Sequence, residues 1–230
     1  MWNIVTGGEL EQALVKHGIA ADRSVVLYSR TAFAAARAGL ICLYAGVADV
    51  RILDGGIAAW IAAGYDLETS PRTPAPVEDF GAAVPARPEY IYNLGQVTAL
   101  LADQDAILAC VRSWDEYVGS TSGYSYVQPR GRIAGSVWAG EARPGLIHTR
   151  ERALRSADQI SAFWAQQGIE SNKKIVFYCG TGWRASEAFF HAYQLGWERI
   201  AIYDGGWLEW SALPEMPVER GVPNVEDQQV

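Results

Sequence analysis

Cys179 is the residue in this chain best placed for covalent chemistry. It heads the segment Cys179-Gly180-Thr181-Gly182-Trp183-Arg184, directly after the β-branched and aromatic run Lys174 to Tyr178, and a helix is expected to begin near Trp183 or Arg184. Two glycines in four positions let the backbone curl tightly, so successive N–H groups converge on one point, an anion-binding nest at a helix N-terminus. The object at that point would be the Cys179 sulfur. Amide donors from Gly180, Thr181, Gly182 and Trp183, the helix dipole and the Arg184 guanidinium all favour thiolate over thiol, and the same cradle would hold a negative persulfide. The Thr181 hydroxyl adds a further donor. Arg184 has two readings, binding of an anionic donor or bracing of the loop. Trp183 has two as well, a pocket wall or simple packing, the latter being the default in a chain with nine tryptophans.

The remaining candidates read as structural. Cys42 lies in an Ala- and Leu-rich helical stretch and Cys110 in a strand, where a thiol serves as a small apolar filler. The three cysteines form no CxxC pair, and His17, His148 and His191 are dispersed, so neither a disulfide framework nor a metal site is expected. No organic cofactor is expected either. Arg112 reads as a buried ion-pair partner, and Tyr124 and Tyr126, in a Ser- and Gly-rich stretch, as candidates for a substrate entrance.

The elements that position Cys179 occur twice. Residues 18–60 align with residues 168–210 at a constant shift and without a gap, giving about thirteen identities over 43 positions. Each copy predicts a helix ending in Gly18 or Gly168, then a strand (Val25 to Tyr28; Ile175 to Tyr178) whose lack of alternation suits burial on both faces. A turn, a helix closed by Gly46 or Gly196, a second strand (Val50 to Leu53; Ile200 to Tyr203) and an Asp-Gly-Gly turn into a Trp-bearing helix complete the copy. Alternating strands and helices imply an α/β fold, each unit a parallel sheet flanked by helices on both faces. Asp54 and Asp204 recur in both copies and read as turn or helix-cap aspartates. Where the second copy has Cys179, Gly180, Gly182 and Arg184, the first has Ser29, Arg30, Ala32 and Ala34. Nucleophile, cradle and arginine are absent together, so the first copy is expected to be inert.

Ahead of the second copy, residues 94–156 predict a helix (Leu94 to Leu101), a strand (Ala106 to Val111) and a loop-rich stretch from Gly119 to His148. The first copy has no such stretch before it. The expected organisation is therefore an incomplete inert unit at 1–72, a Pro- and Ala-rich linker at 73–90, a catalytic unit at 91–220 and a tail at 221–230.

Composition narrows the partners. The 230 residues are 50% hydrophobic and 20% charged with a formal net charge of −7, and no Lys/Arg run stands out, so no nucleic acid is expected. No apolar run has membrane-spanning length, so no membrane association is expected. The start MWNIVTGGEL lacks the basic and apolar regions of a signal peptide. A cytoplasmic location is the default, with a periplasmic one open if an upstream portion is missing.

Strand, cysteine loop, helix, and a strand ending in Asp204-Gly205-Gly206 before Trp207 together resemble the rhodanese domain. An inert copy followed by an active one resembles the tandem rhodanese-type sulfurtransferases. The resemblance is greatest to bacterial members with several rhodanese domains, whose last domain carries the same Cys-Gly-Thr-Gly-Trp-Arg loop after a segment like VRSWDEYVGSTSGYSY at 111–126. The chain departs from the family pattern twice. The usual Asp-x-Arg of the first strand is Cys110-Val111-Arg112, and the usual Gly-His-Ile-Pro-Gly is Gly131-Arg132-Ile133-Ala134-Gly135.

The resemblance implies transfer of a sulfane sulfur from a small donor of the thiosulfate or 3-mercaptopyruvate type, through a Cys179 persulfide, to a cyanide-like or thiol acceptor. Two rivals share these parts. A persulfide carrier would pass its sulfur to a protein thiol. A cysteine-dependent phosphatase or arsenate reductase would use a loop with five residues between Cys and Arg, whereas only Gly180 to Trp183 intervene here, a ring better suited to one sulfur than to a tetrahedral oxyanion.

Overall fold

The computed structural model describes residues 3–141 and 156–223. His148 and residues 224–230 of the expected tail lie outside the described residues. In the first unit, α1 (Gly7–Lys16) starts at a reciprocal cap between Thr6 and Glu9 and buries Leu10 and Leu14. The strands β1 (Ser24–Leu27) and β2 (Asp49–Ile52) pair in parallel, joined by α2 (Ala32–Ala45), which ends at Gly46 with a left-handed φ of 115°. A short α3 (Gly56–Ala62) follows.

The second unit contains β3 (Ile91–Tyr92), α4 (Leu94–Leu100), β4 (Ala106–Cys110) and α5 (Trp114–Val118). Two short strands come next, β5 (Arg132–Ile133) and β6 (Val137–Trp138), and then α6 (Ala157–Gln166). The part aligned with the first unit comprises β7 (Lys174–Tyr178), α7 (Trp183–Gln194), β8 (Ile200–Tyr203) and α8 (Gly206–Trp210), closed by β9 (Val218–Glu219). Five strands form a parallel sheet in the order β3-β8-β7-β4-β6, and β5 pairs antiparallel with β9 outside it.

Strand alternation assigns the two faces of this sheet. Ile175, Phe177 and Cys179 enter one apolar cluster with Ala185, Ala188 and Phe189 of α7 and Trp164 of α6, whereas Val176 and Tyr178 enter the other with Val97, Tyr117 and Trp207. Ala36, Leu40 and Leu43 of α2 belong to the first cluster, so the first unit supplies part of the second unit's core. The fit is close: a Cβ on Gly39 would lie 2.7 Å from the Phe190 ring.

Two expectations change. β1 is not buried on both faces: Val26, and Tyr28 just past the strand's end, are each 61% exposed, while their counterparts Val176 and Tyr178 are fully buried. The first unit's sheet has only two strands, and among the described residues nothing covers the face that α4 and α5 cover in the second unit. The Pro- and Ala-rich segment, expected as an extended linker, is irregular but strapped onto the first unit. Phe80 is fully buried beside Leu10 and Leu14, Val77 N–H donates to the Val15 carbonyl, and the Phe80 carbonyl accepts from Ala21 N–H. Phe80 and these backbone hydrogen bonds, with Val84 packed against the same cluster, hold the segment in place.

Candidate active site

Cys179 sits at the C-terminal end of β7, a strand paired on both sides, by β4 and β8. Its loop runs through Gly180, Thr181 and Gly182 into α7, and Gly182, the residue before the helix, has a φ of 78° that favours glycine. All four residues from Cys179 to Gly182 are buried. Among the described residues, the N–H groups of residues 180–184 make no backbone hydrogen bond. A buried loop whose consecutive donors are unused has the character of an anion cradle.

The loop's carbonyls, in contrast, are committed. Cys179 O accepts from Trp207 N–H at 2.8 Å and Gly180 O from Leu208 N–H at 2.9 Å, so the first turn of α8 caps itself on the cysteine loop. Gly206, at a φ of 56°, makes this approach possible, because a Cβ there would lie 2.7 Å from Cys179 O and 2.8 Å from Gly180 O. The first copy repeats the arrangement, with Gly56 pressed on the Ser29 carbonyl. The recurring Gly-Gly therefore serves the turn rather than the nucleophile.

Arg184 takes the bracing geometry. It forms a two-pronged ion pair with Glu116 of α5 at 2.8 Å on each arm, with side-chain exposures of 8% and 4%, and donates to the Tyr124 hydroxyl at 2.6 Å. Burial alone would push the Glu116 carboxyl up, but the hydrogen bonds and charge of Arg184 outweigh it and hold the group below the usual glutamate range. Glu116 also accepts from Ser113 N–H, closing the cap of α5. Tyr124 lies over the loop, its ring against Gly180 where a Cβ would collide with it, and burial followed by the charge of Cys179 raises its hydroxyl pKa. Tyr126 packs against Tyr124 with ring centroids 5.3 Å apart and the rings tilted by 47°, and is 54% exposed. Trp183 meets Phe33 of the first unit edge-on at 6.4 Å.

The residues read as structural are placed accordingly, with two corrections. Cys42 and Cys110 are buried, and burial pushes the Cys42 thiol up to about 11. His191 packs against Trp164, and His17 is exposed at the end of α1. Arg112, expected to be ion-paired, instead donates to the Gly131 carbonyl at 2.5 Å and lies over the Trp207 ring at 4.8 Å, its place among apolar groups being taken by aromatic faces. Of the two readings of Asp204 the turn holds and the helix cap does not: it lies in the bend before α8, whose preceding residue is Gly205, and its carboxylate pairs with Arg37 of α2 at 2.5 Å and accepts Ile4 N–H at 2.7 Å. Glu116, and Arg37 as the partner of Asp204, are the residues around the loop that sequence reading missed. The Ser113-x-x-Glu116 capping pattern marks a helix start, but no local pattern reveals the same carboxylate's bond to Arg184.

Among the described residues, no cluster of His, Cys, Asp and Glu could hold a metal ion, and no helix is long and apolar enough to cross a membrane.

Comparison with known proteins places the chain in a family. The family model described as "Rhodanese-like domain" matches residues 2–63 and 93–213. The chain is 47% identical over 227 residues to the thiosulfate sulfurtransferase YnjE of Escherichia coli, covering 96% of this chain and 52% of that protein. It is 29% identical to the sulfur carrier protein TtuD of Thermus thermophilus, covering 95% and 79%. Among solved structures, the anaerobic ergothioneine biosynthesis enzyme of Chlorobium limicola, in complex with trimethyl histidine, superposes with a TM-score of 0.92 at 40% identity, covering 96% of this chain and 57% of that one. The chain thus spans about half the length of the E. coli relative.

Proposed function

The chain belongs to the rhodanese family, and from that premise we propose that it transfers sulfane sulfur through a persulfide on Cys179. The observation that carries the reading is the buried loop that begins at Cys179 and, among the described residues, leaves the N–H groups of residues 180–184 without backbone acceptors. Such donors stabilise a negative sulfur, and a persulfide as well as a thiolate is one. In the first step the Cys179 thiolate attacks the outer sulfur of thiosulfate, a new S–S bond forms, the donor's S–S bond breaks, and sulfite leaves with the electron pair. In the second, cyanide or a thiolate attacks the terminal sulfur and Cys179 departs as thiolate. No electron is lost or gained by the protein over the cycle. With a donor of the 3-mercaptopyruvate type the thiolate would attack the donor's thiol sulfur, the new S–S bond forming as the donor's C–S bond breaks. The electron pair leaves on the pyruvate enolate, and the proton of the donor thiol passes to its carbon to give pyruvate.

Arg184 supports this reading by its engagement. With both arms on Glu116 it braces the loop and is not directed at a tetrahedral oxyanion, so hydrolysis of an aryl phosphate is expected to be absent. Tyr124 covers the loop and Cys179 has no exposed surface, so a donor enters by displacing that ring. A second reading, delivery of the sulfur to a protein thiol, is supported by the same burial and by the name of the Thermus relative, a sulfur carrier.

Intact-mass measurement after incubation with thiosulfate tests the proposal. The parent protein gains the mass of one sulfur atom and Cys179→Ser gains none while melting at the parent temperature. A Cys179→Ser variant that loads sulfur sinks the reading. Release of the loaded sulfur by cyanide identifies a turnover enzyme, and release by a protein thiol alone identifies a carrier.

A further inference from the structure

Arg37 belongs to the unit that has no nucleophile, yet its side chain ends at the nucleophile's loop. Its Nη2 is paired with Asp204 Oδ1 at 2.5 Å, and the two side chains are 5% and 6% exposed. Asp204 opens the Asp204-Gly205-Gly206 turn, through which α8 donates to the carbonyls of Cys179 and Gly180. The second arm of the guanidinium, Nη1, is buried without a hydrogen-bond partner among the described residues and faces the loop: a Cβ on Gly182 would lie 3.2 Å from it and 3.0 Å from the Asp204 carbonyl. We propose that Arg37 is a positioning residue for chemistry at Cys179, gripping Asp204 so that the turn stays locked against the cysteine loop and the loop's donors stay aimed at the sulfur.

The internal repeat separates this role from a general need of the fold. The position equivalent to Arg37 in the second unit is Glu187, and the counterpart of Asp204 is Asp54, which is exposed. The helix as such therefore does not require an arginine at this position, and the turn, which keeps its aspartate in both units, does not require that aspartate to be buried in an ion pair. A buried ion pair also contributes little net stability, since desolvation offsets most of the attraction, so its effect lies in fixing geometry. The same pair makes the inert unit part of the active site of its neighbour.

The proposal rests on the sulfur-transfer reading, and the test keeps the two apart. Full-length parent, Arg37→Met, Arg37→Lys, Asp204→Asn and the double variant Arg37→Met with Asp204→Asn are compared for thiosulfate-to-cyanide transfer, persulfide loading and thermal unfolding. Expected is a loss of roughly tenfold or more in kcat for Arg37→Met, with the KM for thiosulfate shifting less than about twofold and partial recovery in Arg37→Lys. The double variant should fall no more than roughly twofold below Asp204→Asn alone, because the pair acts as a unit. Arg51→Met, which removes an exposed pair in the same unit, should match the parent. Parent-like kcat in Arg37→Met overturns the proposal, as do additive losses in the double variant or an activity loss that merely follows the unfolded fraction. Where Arg37→Met is partly unfolded, Arg37→Lys and Asp204→Asn carry the same comparison. A parent that loads no persulfide sinks the underlying reading before any substitution is considered.

Discussion

Replacing Glu116 with Gln isolates the brace behind the cysteine loop. The substitution keeps the size of the side chain and one acceptor oxygen but removes the charge that meets Arg184 at 2.8 Å on both arms. Both partners are more than nine-tenths buried, so the guanidinium is left with an uncompensated charge in a dry site. Removing one member of such a pair costs about 3 kcal/mol, and for a chain of this size the melting temperature should fall by roughly 6–12 °C. The pH dependence gives an independent check. Glu116 is held below the ordinary glutamate value of 4.5 in the folded chain, so the unfolded chain binds the proton more tightly. The stability it supplies is complete above about pH 4.5 and is lost as the pH falls through the folded value. Urea unfolding at a series of pH values from neutral to acid should show a steeper acid loss in the parent than in Glu116→Gln. A cost below about 1 kcal/mol, or identical acid slopes, would refute the claim that this pair is a functioning brace.

Gly206→Ala should impair the loop more than the fold: the added methyl meets the carbonyls of Cys179 and Gly180 at a positive φ, costing about 1–3 kcal/mol by thermal unfolding while persulfide loading falls by a larger factor. Equal loading in the two proteins would show that the turn does not control the loop. Val26→Thr and Val176→Thr form an internal control at equivalent positions. The first, 61% exposed, should change stability by no more than about 0.5 kcal/mol, and the second, fully buried, should cost about 1–3 kcal/mol. Equal costs would mean that the exposed face of β1 is covered in solution.

Much of this architecture is legible in the sequence because the repeat doubles every signal. The alternation of strands and helices, the glycine stops and the cysteine loop fall where the aligned copies place them, since each depends on residues close together along the chain. Burial of β1 was not legible, because Val25 to Tyr28 has the same pattern as Ile175 to Tyr178 and only the neighbouring strands and helices decide its exposure. The partners of Arg184 and Asp204 were equally hidden. Glu116 lies 68 residues before Arg184 and Arg37 lies 167 before Asp204, separations at which no local spacing rule operates. Recurrence in both copies marks the aspartate of Asp-Gly-Gly as structural, but a repeat cannot reveal that Asp204 alone has a partner, Arg37, in the other unit.

The packing of α2 on α7 joins two copies of the same helix. An interface with equivalent elements on both sides is the self-complementary kind through which twofold homodimers assemble. Fusing two protomers of such a dimer would produce this arrangement without a new contact having to arise. Once the copies share one chain, each pair of equivalent positions can diverge, as Arg37 and Glu187 have, and Ser29 and Cys179. Selection then acts on the two halves separately, so that a change in one half can serve the other.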